Sequence, residues 1–363
     1  MNPPAATLFS QSYAEARARF LVAAEAAGLD VQSHPHPMLG RDGEALAMDV
    51  ARFGAADAKR LLILSSACHG VEGFCGSAVQ SALLQDAAFH RAADEAGVAV
   101  LYIHALNPYG FSWWRRVTHE NVDLNRNFID FSQPLPANPG YDEIAHALVP
   151  PHWPPTTEDQ AALQAYAMKH GPRGLQAAIS AGQFNHPEGL FFGGHNPTWS
   201  HITLRHVLQD HATRCERLGW VDLHTGLGPT GHGERIFSGL PHDTAGLERA
   251  RAWWGDITTT FDGSSTAALL EGEMWRTAYE ECAQAEYTGI ALEFGTVPLL
   301  ETIDALRAEQ WLENHPEIGA PRAAAIKQRL RDAFYTDTDD WKHAIISQGT
   351  EVAFQACLGL AEG

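Results

Sequence analysis

Residues 61–76 read LLILSSACHGVEGFCG. The apolar run at 61–64, closing in small residues, has the pattern of a buried strand. It breaks at His69-Gly70, and Glu72-Gly73 opens a segment of small and apolar residues suited to a packed helix. An imidazole and a carboxylate three residues apart therefore fall on the loop at the carboxyl end of a strand, the edge where open α/β sheets build ligand sites. His and Glu are also ligands for a borderline metal such as Zn²⁺.

Working outward, residues 10–28 predict an amphipathic helix stopped by Gly28, and 45–53 a strand turning through 55–57 into 61–65 as a hairpin. Residues 98–104 (VAVLYIH) read as a further strand closed by the loop signal Asn107-Pro108-Tyr109-Gly110. Strand, helix, strand, loop is a βαβ pattern and implies a partly parallel sheet. Residues 111–128, FSWWRRVTHENVDLNRNF, lack a helical or strand period. Their aromatic and arginine density favours a binding loop, because the Arg fork matches a carboxylate in two places. Seven prolines within about residues 132–158 mark an excursion around the core. Residues 157–182 predict a helix interrupted at Gly171-Pro172, 183–200 a loop over the site, and 204–218 a helix stopped by Gly219. In WVDLHTGLG (220–228), His224 ends a short strand as His69 does, and YTGIALEF (287–294) is a strand with one carboxylate, Glu293, near its end. From about 299 to 363 the chain reads as helical, and no internal repeat divides it, so a single domain over 1–363 is expected.

The formal charge of −19 argues against nucleic acid or an anionic membrane as partner. Five cysteines without a CxxC pair suit a reducing compartment, and no run approaches a membrane span. A cytoplasmic location is the expectation.

Three strand ends thus offer His69 and Glu72, then His224, then Glu293, to one edge. A catalytic zinc takes three protein ligands and leaves a position open. Two histidines and a glutamate make such a set, with Glu293 free to act as general base. Taken singly, each has a plain alternative. A strand-end His is more often a hydrogen-bonded structural residue, Glu72 suits a helix's first turn, and loop arginines are commonly solvated. Glu293 is harder to dismiss, because an apolar strand seldom buries a lone carboxylate.

The combination HGVEG, NPYGF, RR, NVDLNRNF, DLHTGLG and LEFGT, in this order over about residues 45–300, resembles the M14-type zinc carboxypeptidases, and within them most closely an uncharacterised bacterial branch, the DUF2817 proteins. The resemblance implies an α/β/α sandwich around a mixed, mostly parallel twisted sheet. It implies one zinc ion held by His69, Glu72 and His224, and Glu293 as the residue that activates water. Asn125 and Arg126 would hold a substrate's terminal carboxylate, and Arg115 or Arg116, with Arg116 preferred, would stabilise the oxyanion. Tyr279 and Tyr287 are the candidates for a tyrosine covering the substrate. The implied activity is hydrolysis of an amide bond next to a free carboxylate, on a small peptide. A deacylase of N-acyl amino acids, similar to aspartoacylase and succinylglutamate desuccinylase, is the second reading, and a metal-free binding protein on the same fold the third. Arg235 and Arg276 stand as possible readers of an acidic substrate.

Overall fold

The computed structural model describes residues 4–362. Seven strands form one sheet in the order β1-β2-β4-β3-β5-β7-β6, where β1 is Val31–Leu39, β2 Ala45–Phe53, β3 Arg60–Ser66, β4 Val98–His104, β5 Arg217–Thr230, β6 Gly233–Phe237 and β7 Glu286–Gly295. The four central strands run parallel, and β1, β2 and β6 complete the sheet with antiparallel pairs.

The period-2 alternation of the central strands sorts their side chains into two cores. Leu62, Leu64, Val100, Tyr102, Val221 and Leu223 pack on one face against the helices Tyr13–Ala26, Gly73–Leu84, Ala87–Glu95, Thr244–Trp254 and Asp339–Ala361. Leu61, Ile63, Leu101, Ile103, Leu218 and Trp220 pack on the other, against Trp199–His211 and Arg276–Glu281. Both faces of the parallel strands are covered, which is why those strands read as continuous apolar runs. The result is the expected three-layer α/β/α sandwich. Among the described residues no helix is long and apolar enough to cross a membrane.

The hairpin expected between 45–53 and 61–65 does not form. β2 pairs with β1 and β4, and β3 pairs with β4 and β5. The true hairpin partner, β1, carries Pro35 and Pro37, which cannot donate to a ladder and are tolerated because β1 is an edge strand. The helix expected over 204–218 instead spans Trp199–His211, since β5 already begins at Arg217. Within the proline-rich excursion lies a helix, Pro139–Leu148, entered through Pro139 and capped by Asn138. The next helix, Thr157–Ser180, does bend at Gly171, whose φ is 78°.

One close approach fixes the loop after β3. Gly70 accepts the backbone of residues 115–116 alongside it: its N–H donates to Arg116 O at 3.0 Å, and Val71 N–H donates to Arg115 O at 2.8 Å. A Cβ at Gly70 would lie 2.0 Å from the Gly110 carbonyl carbon, a backbone atom with no room to move. Gly70→Ala should therefore lower unfolding free energy by about 3 kcal/mol, read by denaturant unfolding. A loss below about 1 kcal/mol, in the ordinary range of surface substitutions, would show that the contact yields easily.

Candidate metal centre and active site

The parallel strands end together at one edge, and their ends bring the predicted residues into one place. β3 leads into His69, which caps a short 3-10 turn, Gly70–Glu72. On β5 the face that buries Leu218 and Trp220 carries Asp222 and His224. The regular parallel ladder of β5 with β7 stops after Thr225, so His224 sits at its end and pairs in register with Glu293. On β7 the core takes Ile290, Leu292 and Phe294, while Ala291 and Glu293 line a cavity of about 450 Å³.

His69, Glu72 and His224 are all buried, and one ligand atom from each falls within 4.8 Å of the others. His69 Nδ1 lies 3.0 Å from Glu72 Oε1, and His224 Nδ1 lies 3.3 Å from Glu72 Oε2. Each imidazole is tethered through its other nitrogen. His224 Nε2 donates to Asp222 Oδ2 at 2.5 Å, and His69 Nε2 lies 3.2 Å from Asp123 Oδ1. His69 Nε2 also lies 2.8 Å from Arg116 Nη2, so a carboxylate and a guanidinium both hold that nitrogen while Nδ1 faces Glu72. That Nδ1 is buried and has no hydrogen-bond partner. A carboxylate on the far nitrogen is the support that metal-ligating histidines normally have. A buried ring nitrogen without a hydrogen-bond partner, between a carboxylate and a second imidazole, fits a bound cation, and two nitrogens with carboxylate oxygen suit Zn²⁺.

The charges of the cluster act strongly on one another. Burial opposes the Glu72 charge, but His69, His224 and Arg116 outweigh it and hold this carboxyl well below the usual range. Burial likewise opposes charge on His224, yet Asp222 and Glu72 raise it well above an ordinary imidazole. Glu293 goes the other way. Burial first, and then the Glu72 charge, push it up to about 8.

Arg116 and Arg115 part company. Arg116 donates from Nε to Asp123 Oδ2 at 2.9 Å and from Nη1 to Glu72 Oε1 at 3.0 Å, and it faces the cavity. Arg115 does not join the site. Its guanidinium turns away to Glu309 Oε1 (2.8 Å) and Asn121 Oδ1 (2.8 Å), a buried structural ion pair with the helix Leu299–Glu313. Asn125 and Arg126 both line the cavity. The Asn125 carbonyl accepts from Met274 N–H at 2.8 Å, which leaves its amide N–H₂ as the free donor. Arg126 is anchored by Ser180 O and by Asn125 O, and still has N–H groups to offer.

Tyr279 and Tyr287 do not line the cavity, so neither is placed to cover a substrate. Tyr279 donates to Asp243, and Tyr287 is buried in the second core. Arg235 and Arg276 also lie outside it; Arg235 bonds the Trp254 carbonyl, and Arg276 lies over Trp275. The predicted covering loop contributes Phe191, with Arg116 and Arg126 stacked 5.2 and 5.6 Å from its ring centre. Sequence reasoning missed Asp123 and Asp222. Both were legible in principle: Asp222 is two residues before His224, on the same face of a strand, and Asp123 opens DLNRNF.

The fold and this edge define an α/β/α protein with a His-Glu-His centre, a second carboxylate and an arginine-lined pocket. The chain belongs to the family described as "Protein of unknown function (DUF2817)", which it matches over residues 9–348. Solved structures similar to it include the carboxypeptidase A from Helicoverpa armigera, at 14% identity and TM-score 0.44 over 89% of this chain and 74% of that one. The metallo-carboxypeptidase from Pseudomonas aeruginosa is similar at 13% identity and TM-score 0.40, over 92% and 68%. A succinylglutamate desuccinylase from a Silicibacter species is similar at 14% identity and TM-score 0.36, over 79% and 67%. No curated protein sequence matches the chain.

The raised pKa values fix the sign of a metal-binding experiment. Both shifts favour a proton on His224 and on Glu293 near neutral pH, protons that a cation at this site would displace, so affinity should fall as pH drops. Titration calorimetry with Zn²⁺ in buffers of different ionisation enthalpy should report release of more than about one proton per site at pH ~7, and about one fewer in Glu293→Gln. A proton count that ignores this substitution would remove Glu293 from the cation's field.

Proposed function

We propose that the protein is a zinc-dependent hydrolase that cleaves an amide bond adjacent to a free carboxylate, on a small peptide or an N-acyl amino acid. The observation that carries this reading is the unpartnered His69 Nδ1, turned toward Glu72 and His224 at the wall of a cavity that also contains Glu293 and the three polar anchors Arg116, Asn125 and Arg126. His69, Glu72 and His224 would hold the ion. When bound, it supplies Lewis-acid polarisation and makes water acidic enough to serve as a nucleophile near neutral pH.

The chain's own groups account for the remaining chemistry. Glu293 Oε1 accepts from Leu227 N–H at 3.1 Å, which fixes the carboxylate and leaves Oε2 to take a proton from the attacking water. A base near pKa 8 without the ion, lowered once Glu72 is neutralised, can take that proton and then return it to the leaving amine nitrogen. Arg116, held by Asp123, Glu72 and His69, keeps N–H groups beyond those three contacts beside the ligands, where a developing oxyanion needs them. The free amide of Asn125 and the remaining N–H groups of Arg126 orient the substrate's carboxylate and so fix which amide meets the base.

An assay of amino acid release from C-terminal dipeptides and N-acyl amino acids tests the reading. Zinc-loaded protein should turn over at least one of these classes, and Glu293→Gln should lower kcat by about a thousandfold while leaving zinc content intact. Turnover of neither class, or full activity in Glu293→Gln, would refute it.

A further inference from the structure

Beyond the reacting end, the cavity wall is mostly apolar, with Gln176, Ser238, Thr260 and Thr302 among its scattered polar side chains. Leu299, Ile303 and Leu306 line it from one helix at positions i, i+4 and i+7, joined by Leu227 and Phe334. Past the ligands and anchors, the charged lining residues are Glu273, beside Met274, and Arg173. The same character continues onto the surface. Ten large hydrophobic residues are exposed among the described residues, and two of them belong to this cavity. Leu299 (37% exposed) and Leu300 (81%) line the cavity themselves. An apolar patch of this kind, continuous with a binding cavity, marks what the site takes in.

The wall discriminates between two kinds of substrate. A peptide running along it would bring a backbone N–H and C=O with every residue, each needing a partner. The leucines, Ile303 and Phe334 offer none. An alkyl chain needs none and gains from burial. The net charge of −19 opposes an anionic bilayer as the source, so the amphiphile would be taken as a free molecule.

We propose that the substrate is an N-acyl amino acid with a medium- to long-chain fatty acyl group, its alkyl chain on the Leu299–Leu306 wall and its carboxylate at Asn125 and Arg126. This rests on the hydrolase reading for the position of the carboxylate. Water adds to the amide carbonyl, the C–N bond breaks, and the proton goes to nitrogen, giving a fatty acid and a free amino acid.

Binding separates this claim from turnover. The probes are N-acyl glycines of two to sixteen acyl carbons, kept below micelle formation, titrated into the full-length Glu293→Gln protein as purified. Affinity should rise roughly twofold per methylene, about half the logarithmic gain of complete burial. Leu300→Asp and Ile303→Asp on the same background should flatten that slope; Leu300 is exposed, so its variant keeps the test readable should the other misfold. Affinity independent of chain length, a slope unchanged in Leu300→Asp, or tighter binding of Phe-Leu-Gly than of dodecanoyl-glycine would overturn the proposal. Chain-length-dependent binding without hydrolysis by the wild-type protein would retain the ligand class and refute the hydrolase reading alone.

Discussion

The buried carboxylate of Asp123 is the interaction on which the site depends. Oδ1 faces His69 Nε2 at 3.2 Å and accepts from Asn125 N–H at 3.0 Å, and Oδ2 accepts from Arg116 Nε at 2.9 Å. Arg126 Nη1 lies 3.7 Å away. One side chain thus faces a candidate ligand, caps the turn that carries Asn125 and Arg126, and offsets two guanidinium charges. Burial opposes its charge, and Arg116, Arg126 and His69 together overcome this and hold its pKa well below the usual range. Removing a single partner from such a network leaves the others buried and uncompensated, so these positions are bound to one another more tightly than their spacing along the chain suggests.

The constellation was more legible in the sequence than the packing around it. Residues 61–76, 220–228 and 287–294 announced buried strands ending in His or Glu, because an apolar run followed by a polar residue and glycine has few other solutions. Strand order was not announced. Alternation in β2 shows that it is a strand but not which neighbour it has, and the prolines of β1 hid an edge strand altogether. The adjacent arginines were indistinguishable locally, since Arg115 is turned from the site by Glu309, nearly two hundred residues away. The apolar wall was equally hidden. Its residues come from the bent helix Thr157–Ser180, from β6 and from the helix Leu299–Glu313, and only the fold unites them.

The cavity therefore has two halves made by different physics. The reacting end is a network of fixed charges and donors, supported by strand ends and by loops clamped backbone to backbone at Gly70. The outer half is apolar surface on helices. Within a chain of net charge −19, Arg116 and Arg126 bring two guanidinium groups to the cavity, and Phe191 packs against both. A ligand with a negatively charged head and an uncharged remainder matches that division.

The central claim is that His69, Glu72 and His224 form a zinc site. Elemental analysis of purified, zinc-reconstituted protein tests it most directly, with His69→Ala measured beside the wild type and its fold checked by circular dichroism. About one zinc per wild-type chain and loss of most of it in the folded variant are expected. Equal zinc in the two proteins, or none in the wild type, would contradict it.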